Sequence, residues 1–173
     1  MATRYHSNIE SGLIRLGRES KAHRKIKKVY RGNVSPLSIV DPRTKHVVNY
    51  KPDVYFLLNN NRKLIFEVLD SEQEKQDIII ADVIRSFLVE NVDGLFFIYP
   101  GPESVEKTIL ESLITIYKGL VIKGVNQSEL PNPRKTGAYL IQRNEADNIQ
   151  EIKDKLSKYA YEDRWFKSLP MPR

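Results

Sequence analysis

Residues Lys51 to Ser71, K-P-D-V-Y-F-L-L-N-N-N-R-K-L-I-F-E-V-L-D-S, constrain the fold more than any other stretch, because they predict two strands that are apolar on both faces. Val54, Phe56 and Leu58 alternate with Asp53, Tyr55 and Leu57. Leu64, Phe66 and Val68 alternate with Ile65, Glu67 and Leu69, and the polar run Asn59 to Arg62 separates the two segments as a turn. A strand apolar on both sides belongs in the middle of a covered sheet. An ionised carboxylate there costs several kcal/mol unless it is paired.

Antiparallel pairing through Asn59-Asn60-Asn61 sets opposite residues whose numbers sum to about 120. Asp53 then lies level with Glu67 on one side of the sheet. Two carboxylates at one place repel, and a hard divalent cation such as Mg²⁺ or Mn²⁺ removes the repulsion while keeping waters or substrate phosphates as further ligands. The plainer alternative is that Asp53 caps the strand start after Pro52 and Glu67 pairs with a lysine at the sheet edge.

Pro52-Asp53, a turn, and an apolar strand ending in Glu67-Val68-Leu69 resemble the PD-(D/E)xK nuclease superfamily, which includes restriction endonucleases and Holliday-junction resolvases. The resemblance covers residues from about 9 to 100. It implies an α/β fold with a mixed central β-sheet flanked by helices, a restriction-endonuclease-like core, and Mg²⁺ (or Mn²⁺) held by Asp53 and Glu67. It also implies a lysine two residues after the Glu, and here that position is Leu69. Lys75 or Gln73, on the helix expected to follow, and Lys51, which shares strand parity with Asp53, are the candidates to stand in for it.

The chain has 173 residues and 40% hydrophobic content, which suits one globular domain, with a core over about 9–125 and a C-terminal extension over about 126–173. It has no cysteine, so a disulfide framework and thiolate metal sites are excluded. The start M-A-T-R-Y-H-S-N lacks an apolar signal core, and no stretch approaches the roughly 20 apolar residues of a membrane helix, so a soluble, cytoplasmic protein is expected. The formal charge is +6, but residues 1–31 alone carry nine Lys/Arg against Glu10 and Glu19, a net of +7. Basic ends around an acidic centre suit a polyanion gripped beside a cation, or simply solvated helix faces.

The apolar stripe Ile9, Leu13, Leu16, Ala22, Ile26 and Val29 predicts a first helix from near Ser7 to Tyr30. Glu19, His23 and Lys27 then fall in line at i, i+4 and i+8. By the resemblance, this helix adds an acid to the metal centre, and Glu19 fits that role better than Glu10. Lys21, Arg24, Lys25, Lys27 and Lys28 would contact nucleic acid.

Ser38–Val40 and His46–Val48 flank a D-P-R-T-K turn, and Ser71 with Glu74 forms a capping-box pattern opening a helix to about Asn91. A buried strand follows at Gly94–Tyr99, then a helix at about 104–118, a loop at 126–136, an edge strand at 138–141 and a last helix at about 148–159. The aromatic tail, with Trp165 and Phe166, stacks on bases or folds back on its own core or a partner subunit.

The expected function is Mg²⁺-dependent endonucleolytic hydrolysis of DNA phosphodiester bonds. Asp53, Glu67 and Glu19 would serve as metal ligands, and Lys75 or Lys51 would orient the attacking water. DNA is the expected partner, a homodimer is open, and no membrane partner is expected. The alternatives are a degenerate, non-catalytic nuclease-fold protein that binds nucleic acid or serves as an assembly subunit, and a structural α/β subunit without nucleic acid.

Overall fold

The computed structural model describes residues 2–20, 26–70 and 76–161. A five-stranded mixed sheet is covered by helices on both faces, which makes the fold α/β as expected. In chain order the elements are α1 (Arg4–Ser20), β1 (Ile26–Arg31), β2 (Leu37–Val40), β3 (Val47–Tyr50), β4 (Val54–Leu58) and β5 (Lys63–Val68). After these come α2 (Gln76–Leu88), β6 (Val92–Tyr99), α3 (Glu103–Ile122), β7 (Gly137–Leu140) and α4 (Ile149–Tyr161). The sheet order is β1-β4-β5-β6-β7, and β2 and β3 form a separate two-stranded hairpin.

The polar Asn59–Arg62 turn sets the register of the central strands. Val54 faces Phe66 and Phe56 faces Leu64, so paired numbers sum to 120 as the sequence implies. β1 is antiparallel to β4, whereas β6 and β7 run parallel to β5 and to each other.

Alternation sends Val54, Phe56, Leu64, Phe66, Phe96 and Ile98 to the face covered by α1 and α4. It sends Tyr55, Ile65, Leu95, Phe97 and Tyr99 to the face covered by α2 and α3. Phe56, Phe66 and Phe96 stack across three strands at centroid separations of 4.6 and 4.7 Å, and burial of each such side chain contributes about 1.5–3 kcal/mol. Every residue of β6 is buried, which explains its unbroken apolar reading.

The first helix is shorter than the apolar stripe implies. It ends at Ser20, and Ile26–Arg31, expected as its last turns, is strand β1 on the sheet edge. Ile26 and Val29 fit helical spacing, but pairing with β4, from Ile26↔Leu58 to Arg31↔Val54, satisfies the backbone of β1 and wins. The first strand is therefore β1 and not the β2–β3 hairpin. Beyond residue 126, β7 supplies the fifth strand, and Ile152 and Leu156 of α4 join the core beside α1. The 71–74 capping box and the aromatic tail lie outside the described residues.

Candidate functional site

Asp53 stands at the entry to β4, next to the ends of β1 and β5. Gly32 makes this approach feasible: a Cβ on it would lie 1.9 Å from the Pro52 carbonyl oxygen, and its amide donates to the Asp53 carbonyl at 3.4 Å. The Val68 amide donates to Asp53 Oδ2 at 2.7 Å, which fixes the carboxylate across the strand ends. His6 Nε2 lies 2.9 Å from Asp53 Oδ1.

His6 and Glu10 share one edge of α1 because they are four residues apart. His6 Nδ1 lies 3.6 Å from Glu10 Oε1, and Arg31 Nη1 from β1 lies 3.7 Å from Glu10 Oε2. Ligand atoms of His6, Glu10 and Asp53 fall within 4.8 Å of one another. Burial raises the Glu10 carboxyl, with His6 and Arg31 opposing the shift. The bond to Asp53 raises the His6 imidazole against the effect of burial. Buried His6 Nδ1 has no hydrogen-bond partner. One imidazole nitrogen and two carboxylates, the former carrying an orphaned buried atom, fit a divalent cation that accepts mixed nitrogen and oxygen donors, Mn²⁺ more readily than Mg²⁺.

Glu67 sits beside Asp53 but points into the opposite core. Its Oε1 lies against the Tyr50 hydroxyl from β3, which lies 2.8 Å from Ser86 Oγ of α2, and Ser86 donates to the Asp82 carbonyl at 2.8 Å. The Tyr50 hydroxyl donates to the Glu67 carboxyl, and the Ser86 hydroxyl stands against the Tyr50 oxygen. Burial pushes the Glu67 carboxyl well above the carboxylate range, with nearby Asp53 and Asp82 adding to the shift and the Tyr50 hydroxyl and Asp53 amide opposing it.

Several expected site residues fall elsewhere. Glu19 is exposed and paired with Lys153 Nζ of α4 at 3.0 Å. It lies nine residues past Glu10, about 13 Å along the helix axis, so Glu10 is the α1 acid at Asp53. The Glu19-His23-Lys27 line does not form on one helix, because Lys27 belongs to β1. Lys27 and Lys28 are exposed on that strand, with Lys28 Nζ 5.3 Å from the Tyr30 ring centre. Lys51 is exposed between β3 and β4. Leu69 is buried at 2% exposure among Ile79, Val83 and Phe87, so no amine occupies that position. Lys21, Arg24, Lys25 and Lys75 lie outside the described residues.

Sequence reasoning missed His6, although its i, i+4 relation to Glu10 was readable. It also missed Tyr50 and Ser86, whose roles depend on tertiary contacts. Among the described residues, no helix is long and apolar enough to cross a membrane. Comparison of the chain with family models, curated proteins and solved structures found no match.

Proposed function

We propose that this chain is a divalent-metal-dependent endonuclease that hydrolyses DNA phosphodiester bonds. The observation that carries the reading is the meeting of His6, Glu10 and Asp53, from a helix and a strand entry, at the end of the central sheet. His6, Glu10 and Asp53 would hold the cation, Mg²⁺ or Mn²⁺. When bound, it would supply charge for a phosphodiester oxygen and a lowered pKa for attacking water. The chain's own groups keep the set in place: the Val68 amide orients Asp53, Asp53 orients the imidazole, and Arg31 offsets Glu10.

A second reading, a non-catalytic nuclease-fold protein that still binds nucleic acid, is favoured by one feature. Leu69 places apolar surface where the resemblance would place an amine, and Glu67 is turned away from Asp53 toward the Tyr50 hydroxyl.

Calorimetry and cleavage assays separate the two. The nuclease reading expects Mn²⁺ binding that weakens at least about tenfold in Asp53→Asn and in Glu10→Gln. It also expects Mg²⁺- or Mn²⁺-dependent cleavage of plasmid or branched DNA that falls by roughly 10²-fold or more in both variants. Wild type that binds DNA but cuts no duplex, branched or single-stranded substrate would establish the second reading instead.

A further inference from the structure

The exposed face of α1 carries Arg4, Ser7, Ser11, Arg15 and Arg18 within one stripe at about 100° per residue, and His6 and Glu10 border that stripe. Where the stripe meets the end of β1 and the start of α4, a groove of about 570 Å³ opens, lined by Ser11, Arg15, Arg18, Glu19 and Arg31 among others. Its one acid, Glu19, is paired at 3.0 Å with Lys153, which also reaches Asp154 at 3.3 Å. Among the described residues, Arg15 bonds to the neutral Gln150 amide oxygen, at 3.4 Å, and neither Arg15 nor Arg18 has a carboxylate within ion-pair distance. Arg31 lines the groove and also reaches Glu10, so the groove opens one side chain away from the cation-binding trio.

We infer that this groove holds the phosphate backbone of a DNA strand and leads it to the His6, Glu10 and Asp53 site. The inference rests on the nuclease reading for its destination, but the groove makes its own case. Guanidinium groups present forked donors that match phosphate oxygens, and two that have no carboxylate partner among the described residues give a local cationic surface that a solvated helix face with paired charges would not. Arg15 and Arg18 are about 4.5 Å apart along the axis, within reach of adjacent phosphates on one strand. Hydroxyl-bearing Ser11 lies between them and the metal-proximal end.

The test uses the full chain, a short labelled duplex and a labelled single strand, with binding followed by fluorescence anisotropy in EDTA across a salt series. Arg15→Ser/Arg18→Ser should weaken binding about tenfold or more at low salt and reduce the salt slope by about two. Arg15→Lys/Arg18→Lys should retain most of the affinity. Lys118→Ser/Lys123→Ser, on the opposite face of the sheet, removes the same charge and should leave binding close to wild type. Equal effects of the two serine pairs would reduce the groove to net charge and overturn the inference, as would a wild type that binds anionic phospholipid vesicles but no DNA. Circular dichroism and a cooperative thermal transition matching wild type show that the arginine variant is folded, and its Mn²⁺ calorimetry should also match wild type. An absent Mn²⁺ signal in every protein would sink the metal reading while leaving the groove result intact.

Discussion

Burial disfavours the ionised form of Glu67 more than the donating Tyr50 hydroxyl favours it, so Glu67 ties stability to pH. Its folded pKa is raised, so between the unfolded and folded values the native state holds a proton that the unfolded state has lost. Stability from this group is therefore present below about 4.5 and declines as pH rises toward the folded value. Glu67→Gln, whose amide oxygen accepts from Tyr50 and never ionises, should match wild type near pH 4 and become the more stable protein as pH rises. Glu67→Ala leaves the Tyr50 hydroxyl short of a partner and should cost about 1–3 kcal/mol. Urea unfolding at several pH values measures both, and a constant difference between Gln and wild type would mean that the Glu67 pKa does not change on folding. At this scale the sequence was half legible. Strand parity placed Asp53 beside Glu67, but a linear pattern carries no sign that Tyr50 and Ser86 would occupy one of the two carboxyls, or that Glu10 would replace Glu19.

Among the elements, the central strands were the most readable, because β4, β5 and β6 are covered on both faces and apolar on both sides. The edge strand β1 was the least readable. Only one side of it is paired, its exposed lysines break the alternation, and a bulge between Ile26 and Lys28 shifts its period. Helix α1 approaches that strand closely at Gly17, where a Cβ would sit 2.5 Å from Val29 Cγ2 and 2.8 Å from the Phe56 ring. Gly17→Ala gains about 1 kcal/mol of helix propensity and loses about 1–3 kcal/mol to overpacking, so a net destabilisation on the order of 1 kcal/mol is expected. Gly119→Ala in α3, where a Cβ would meet nothing within 4 Å, should instead stabilise by about 0.5–1 kcal/mol. Thermal unfolding of the two variants should shift in opposite directions, and matching shifts would contradict the α1 contact.

For the whole molecule, the main sheet and the β2–β3 hairpin differ in how they are held. The sheet is buried between two helical layers, whereas the hairpin has its own short ladder, exposed Val40, Val47 and Val48, and anchors into the core through Leu37 and Tyr50. Amides of Ile65 to Val68 and Leu95 to Ile98 should exchange with deuterium only through global opening, with a steep dependence on denaturant. Those of Ser38 to Val40 and Val48 to Asn49 should exchange orders of magnitude faster, with little dependence on denaturant, and equal protection in both regions would show one cooperative unit. Tyr50 is one of the hairpin's two anchors, so each local opening also lifts a phenol off Glu67. The proton on that carboxyl would then trade with solvent at the breathing rate of four short residue pairs, far faster than the lifetime of the sheet that carries it.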